Sequence, residues 1–328
     1  MRVPGSITTR RYLNNYNLSL ERMNKLNEQL TSWRKFDKVS DNPAAAAKAF
    51  LVRRQLSRID MYQSNLKSSK DLLSSAETSA TKVGNSIKLA STTLLKAVNG
   101  TNSDSNDVLA QQLENYRDEI IKTMNNNFGG RFLFGGTSNE APFSLDANDK
   151  LLFNGEPVST ATSAADFPMS KDVFIDIGLG MEFDPVTHDI DPQTALKIST
   201  SGVEFLGFGT DASGLENNIC DALTTAANML RQPNPDLNLC RKYVDKFEEQ
   251  RSRVLTGVAD IGNRISYIDY NVSRLESDTL TLQETQNNIE IINPAETITE
   301  LKTAETTYKA CLQIGPRLIQ NSLFDYLR

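Results

Sequence analysis

The chain has 328 residues, 39% of them hydrophobic but only 7% aromatic, with a single tryptophan, a balance that suits long, thin helical packing better than one large globular core. A formal charge of −6 and a pI near 5.1 argue against nucleic acid as the main partner, because neutralising phosphate takes clustered Lys and Arg. The short basic pairs Arg34-Lys35 and Arg53-Arg54 read as solvated helix surface.

The first 33 residues carry a polar run, Arg10, Arg11, Asn14, Asn15 and Asn17, where a signal peptide needs an apolar core; the plain expectation is the cytoplasm, with export by a route that cleaves nothing left open. Residues 6–33 predict an amphipathic helix. Leu13, Tyr16, Leu20, Met23, Leu26 and Leu30 recur at spacings of three and four, opposite a face of Asn, Arg and Glu. So polar a helix is marginal alone. In Ser40-Asp41-Asn42-Pro43, Asn42 or Asp41 is placed to cap free N–H groups, and Pro43 suits the first helical turn.

A long helix follows over 44–99, with Gly84 tolerated inside and Asn99-Gly100 ending it in a left-handed cap. Its apolar stripe runs at heptad spacing through Val52, Ile59, Leu66, Leu73, Ala80, Ile87 and Leu94, beside a second seam of Tyr62, Ala76, Val83, Ala90 and Ala97. An apolar position every 3.5 residues marks a helix that wraps another helix. A third helix spans 105–127, capped by Ser105 or Asp104, and Gly129–Gly136 reads as a short strand between glycine turns.

Residues 137–214 change character. Pro, Gly, Asp, Ser and Thr punctuate the runs Leu151–Phe153, Val173–Ile177 and Val203–Leu206, which predicts a small β-rich domain. Helix returns at 215–230 and is broken by Pro233 and Pro235. A second long helix over 236–290 carries Cys240, Phe247, Val254, Ile261, Ile268, Leu275, Leu282 and Ile289, with Val244, Val258, Ile265 and Val272 between them. Asn293-Pro294 starts a last helix over 295–326, in which Pro316 predicts a kink or break.

The fold class is thus mainly α with an inserted β-rich domain: terminal helices 1–39 and 294–328, a helical rod of 40–136 and 215–293, and the outer domain 137–214. The two long helices are expected to pair antiparallel within one molecule.

Catalytic chemistry finds little footing. The one histidine, His188, lies between Pro185 and Pro192 in a polar turn. The glycines at 129–136 lack the Gly-Lys-Ser/Thr of a phosphate loop, and no Gly-x-Ser-x-Gly occurs. Three scattered cysteines, 220, 240 and 311, make neither a disulfide framework nor a zinc site, and Cys240 and Cys311 read as small buried hydrophobes. No run of about 18 apolar residues occurs to span a membrane. No cofactor or metal is expected. A plain helical bundle or a cytoplasmic coiled-coil scaffold would explain the heptads, but neither accounts for the β-rich insertion.

The segments Leu26–Ser32 and Val39–Ala46, the latter with its Ser40-Asp41-Asn42-Pro43 turn, resemble the N-terminal region of the flagellin family. Gly130–Thr137 with Ala141-Pro142-Phe143 is similar to the branch of that family that forms hook–filament junctions. The middle-domain stretches Val173–Gly180 and Gly202–Gly209 and the end Asn321–Leu327 are similar as well. Trp33 stands where the family usually has glycine, and Pro316 interrupts a helix that usually lacks it.

The resemblance implies a flagellin-like antiparallel long-helix rod built from both chain ends and a structural adapter between a bending hook and a stiffer filament. Its implied partners are the first junction protein, flagellin, copies of itself in a ring, and an export chaperone at the C-terminal region. Its implied place is the extracellular flagellum, reached through the type III channel without a cleaved signal peptide. A filament subunit of flagellin type, or a cytoplasmic coiled-coil scaffold protein, is the alternative. In this reading Leu13, Tyr16, Leu20, Met23 and Leu30 face Leu318, Ile319, Leu323, Phe324 and Leu327 for assembly. Ile59, Leu66, Leu73, Ile87, Leu94, Phe247, Val254, Ile261, Ile268, Leu275 and Leu282 hold the rod core. Each buried apolar side chain gives roughly 1.5–3 kcal/mol, against a backbone ordering cost of about 1–2 kcal/mol per residue. The terminal pair therefore sits near balance, and residues 1–35 and 300–328 are expected to order only on assembly.

Overall fold

Helix propensity and the heptad stripes dominate the fold. A computed structural model describes residues 5–100, 105–163, 167, 172–184, 190–191 and 194–324, without the side chains of 5, 6, 8 and 316–324. His188 and Leu327 lie outside the described residues. Helix α1 covers Gly5–Ser32, α2 Pro43–Asn99 and α3 Asn106–Met124, and after the β-rich stretch come α4 Gly202–Leu206, α5 Ile219–Leu230, α6 Leu237–Glu290 and α7 Pro294–Phe324. The chain divides into two compact units, residues 1–59 with 276–328 and residues 60–275.

In the unit of residues 60–275, α2 and α6 run antiparallel. Lys70 Nζ meets Asp269 at 2.6 Å, Glu77 lies beside Gly262 and Gly84 beside Val254, so each step up one helix is matched by a step down the other. Leu66, Leu73, Ile87 and Leu94 are buried with Phe247, Val254, Ile261, Ile268 and Leu275. The residues of both heptad stripes named here thus lie on buried faces of the two helices. Helix α5 packs on α3, joined at the surface by the Arg231–Glu114 ion pair. In the other unit, Ile59 is buried and Leu282 half-buried.

The β-rich stretch is made of short antiparallel pairs. Strands β1 (Asn127–Phe128) and β2 (Arg131–Phe132) form a hairpin whose turn residues Gly129 and Gly130 both have positive φ. Strands β3 (Phe143–Leu145), β4 (Leu151–Phe153) and β5 (Glu156–Pro157) form one sheet, and β6 (Phe174–Asp176) pairs with β7 (Ala195–Lys197). Their core is aromatic: Phe143 and Phe167 flank Phe153 at 5.0 and 5.4 Å between centroids, and Phe134 meets Phe205 edge-on at 5.6 Å. Asn125 completes this core without being in a strand. Its Oδ1 accepts from the Phe143 N–H at 2.9 Å and its Nδ2 donates to the Phe143 carbonyl at 2.7 Å. Arg264 and Arg274 of α6 donate to the carbonyls of Ser199 and Ile177, both at 3.0 Å, and so tie the β6–β7 region to the helix.

Several local expectations fail, each for an identifiable reason. Helix α3 stops at Met124 because residues 127–128 are drawn into the hairpin. Ser105 stands at its N-cap position but makes no side-chain cap bond, since it has αR rather than extended geometry; Asp104 lies outside the described residues. Val203–Leu206 is a helical turn, not β structure, with Val203 and Leu206 both turned inward at helical spacing. Helix 215–230 begins only at Ile219. Asn218 caps it by accepting from the Cys220 N–H at 2.7 Å, while Glu216 is held in a bridge with Thr210. Gly100 is outside the left-handed region; a side chain there would crowd the Lys96 carbonyl at 3.0 Å, so close approach rather than φ accounts for the glycine. Of the kink or break expected at Pro316, the break does not occur: α7 continues as helix to Phe324, since a proline inside a helix removes one ladder bond without ending it. Of the two caps offered for α2, Asn42 does the work, accepting from the Ala45 N–H at 3.1 Å. Asp41 instead accepts from Lys38 and Asp37 in the preceding turn.

Candidate assembly surface

The two chain ends meet in the unit of residues 1–59 and 276–328, where α1 and α7 form an antiparallel pair. Its inner seam is more polar than a heptad core. Tyr16 and Tyr308 share a hydroxyl–hydroxyl hydrogen bond at 2.9 Å with rings 5.3 Å apart. Tyr12 stacks on Tyr16 and donates to the Cys311 carbonyl at 2.9 Å. Further along, Arg22 approaches Glu300 at 3.7 Å, both exposed, a pairing of about 0–1 kcal/mol. Among the described side chains, Leu26 and Ala304 are buried apolar residues of the pair.

Of the residues expected to serve assembly, Tyr16, Leu20, Met23 and Leu30 are half-buried. Leu13 is 51% exposed, in company with Ile7, Leu18, Ile298, Leu312 and Ile314. Leu318, Ile319, Leu323 and Phe324 lie on the last turns of α7, where side chains are not described. The pair thus leaves apolar side chains exposed along both helices.

The turn from α1 to α2 docks on the end of α6. The Lys35 N–H donates to the Glu290 carbonyl at 2.7 Å, and the Ile292 N–H donates to the Trp33 carbonyl at 3.2 Å. Lys35 Nζ reaches the Asn288 carbonyl at 2.5 Å. Arg53 forks onto Glu290 at 2.9 and 2.6 Å and holds that carboxyl below its ordinary range. The basic pairs are therefore not merely solvated: one member of each is engaged, Lys35 by a carbonyl in the last turn of α6, which attracts cations, and Arg53 by the Glu290 carboxylate. Trp33 carries a left-handed φ of 60°, rare for a bulky residue, and its indole is 60% exposed. Beside it, Phe36, Val39, Phe50 and Leu51 line a cleft of about 570 Å³, with Val39 and Phe50 about two-thirds exposed. The apolar stripes gave no signal for this turn, whose contacts come from charged groups and main chain.

The unit of residues 60–275 holds two polar clusters. Glu216 accepts from Tyr243 at 2.7 Å, Thr225 at 2.8 Å and Lys150 at 3.1 Å. Burial raises its pKa, but these donors outweigh it and the net shift is downward. Asp221 is pushed up by burial despite accepting from the Leu151 N–H at 2.8 Å. Both clusters anchor α5 and the β3–β4 region to neighbouring elements, and the thiol of Cys220 stands next to Asp221 in the chain. Burial raises the pKa of the Cys220 and Cys240 thiols, and Cys311 is half-buried rather than enclosed. Among the described residues no group of three His, Cys, Asp or Glu could hold a metal, and no helix is long and apolar enough to cross a membrane.

Comparison with known proteins matches residues 6–139 to the bacterial flagellin N-terminal helical region. The chain is 24% identical over 280 residues to flagellar hook-associated protein 3 of Salmonella typhimurium, covering 80% of this chain and 79% of that one. Among solved structures, a putative flagellar hook-associated protein from Vibrio parahaemolyticus superposes with a TM-score of 0.62 at 21% identity, over 76% of this chain and all of that one. FlgL of Bacillus cereus gives a TM-score of 0.52 at 15% identity, over 72% and 99%.

Proposed function

For a chain that is flagellin-like over residues 6–139 and has the fold of flagellar hook-associated proteins, we propose a structural role as the adapter between hook and filament in the bacterial flagellum. The observation that carries this reading is the antiparallel pair of chain ends with its exposed apolar side chains, on a protein that aligns along most of its length with a hook-associated protein. Such a pair has apolar surface to bury against neighbours and no chemistry to perform. The role is non-catalytic. The partners are the first junction protein on one side and flagellin on the other, with copies of this chain forming a ring. The chain reaches its place through the export channel without a cleaved signal peptide, escorted beforehand by a chaperone at its C-terminal region.

Residues 1–35 and 300–328 order on assembly in this reading, because the polar seam of Tyr12, Tyr16 and Tyr308 buries too little to hold the pair alone. Amide hydrogen exchange on the free chain is expected to find both ends unprotected; strong protection of both would sink that part. Immunogold labelling of isolated flagella tests the location. Label confined to the hook–filament boundary supports the adapter. Label along the whole filament supports the flagellin-type reading, which the match to flagellin's own helical region keeps in play.

A further inference from the structure

The contacts between α1 and α7, Arg22–Glu300, Tyr16–Tyr308 and Tyr12–Cys311, continue the register of Lys35–Glu290 and Trp33–Ile292 in the turns that precede α2 and α7. At its far end stands Gly315, the one glycine of α7, followed directly by Pro316. Gly315 is buried. A β-carbon built on it would lie 2.9 Å from Tyr12 Cζ and closer still to the hydroxyl. The tyrosine therefore occupies the space that a side chain would fill, and only through that notch does its hydroxyl reach the Cys311 carbonyl at 2.9 Å. Slipping the pair by one helical turn would set Cys311 or Ile319 against Tyr12, and either side chain would close the notch. Pro316, meanwhile, has no N–H for the Leu312 carbonyl, so the helix ladder is thinned at this point. The tyrosine supplies an outside donor to the neighbouring carbonyl.

We propose that Tyr12 and Gly315 form a register pin. It sets α1 against α7 in a single alignment and holds α7 helical up to Pro316 only while α1 is docked. The proposal rests on the reading that the two ends pair in the assembled flagellum. Its consequence is that the C-terminal end of the chain becomes ordered only once the N-terminal helix is in place, so neither end is finished alone.

The test uses Cys311, whose thiol lies beside the pin, as a reporter in flagella isolated from cells carrying the full chain. Maleimide labelling of Cys311 is expected to be slow in assembled wild type compared with the urea-unfolded chain. Tyr12→Phe, which keeps the ring and removes the hydroxyl, is expected to speed it about fivefold, the factor of one net hydrogen bond. Gly315→Ala is expected to speed it further, and Tyr12→Leu in the same chain to cancel most of the alanine's effect by emptying the notch. If Gly315→Ala yields no flagella, restoration by Tyr12→Leu supports the pin and failure to restore overturns it. Protected wild type with variants at the same rate would overturn the pin alone. Wild-type Cys311 labelled as fast in flagella as in urea would remove the terminal pairing itself, and the pin with it.

Discussion

Two glycines five residues apart on α6 should respond to alanine with opposite sign. In a helix interior alanine is better than glycine by about 1 kcal/mol, so an unobstructed Gly→Ala change stabilises. Gly262 is unobstructed: an added β-carbon meets nothing nearer than Glu77 Oε1 at 3.9 Å. At Gly257 it would stand 2.6 Å from two ring atoms of Phe205. That ring is 7% exposed and edge-on to the fully buried Phe134, so it has little room to retreat. Overpacking of this kind costs about 1–3 kcal/mol, enough to cancel or exceed the helical gain. Gly262→Ala is therefore expected to stabilise by roughly 0.5–1 kcal/mol. Gly257→Ala should be neutral to about 2 kcal/mol destabilising. Urea unfolding of the full chain followed by circular dichroism measures both, and the midpoint should move while the slope stays constant. Adding Phe205→Leu to Gly257→Ala should recover part of the loss relative to Phe205→Leu alone. If both alanines raise the midpoint alike, the packing of α4 on α6 described above is wrong.

Other outcomes follow from burial and charge. In the native free chain a maleimide should modify Cys311 and leave Cys220 and Cys240 until the chain unfolds, because both are fully buried; equal labelling of all three would contradict the core. Glu216 has its pKa held below the usual 4.5, so its contribution to stability is full above pH 4.5 and is lost as the pH falls through the folded value. Glu216→Gln should make the acid side of the stability curve shallower. Asp221 has the opposite sign. Raised above 3.8 by burial, it costs stability at neutral pH, and Asp221→Asn, which keeps an acceptor for the Leu151 N–H, should raise the neutral urea midpoint. Trp33→Gly should relieve a left-handed residue costing about 1–2 kcal/mol, partly offset by about 0.5–1 kcal/mol of glycine chain entropy. The readout is slower exchange of the Ile292 amide in assembled flagella, and faster exchange would refute the strain.

The long elements were legible because burial repeats in them. Leu66, Leu73, Ala80, Ile87 and Leu94 return to the same buried face every seven residues, and that period survives any detail of what surrounds it. The family likeness was legible for a related reason: the Ser40–Pro43 turn and the Gly130–Phe143 stretch are constrained by backbone geometry, which leaves a residue signature. Less visible were the places where one residue meets a distant one. Val203–Leu206 looked like a strand because four residues are too few to separate the two periods. Arg53 and Lys35 looked solvated because nothing in their neighbourhood announces a helix end 237 and 253 residues away. Pro316 looked like a break because the sequence does not say that Tyr12 stands against Gly315. The terminal surface was half legible: its apolar positions were in view, while the tyrosine seam and the left-handed Trp33 needed the pairing of both ends.

Deleting the gene for this chain and restoring it in the same strain tests the adapter role most directly. The account predicts cells that build hooks, shed filament subunits into the medium and regain filaments when the chain is restored. Deleted cells with filaments intact on their hooks would contradict it.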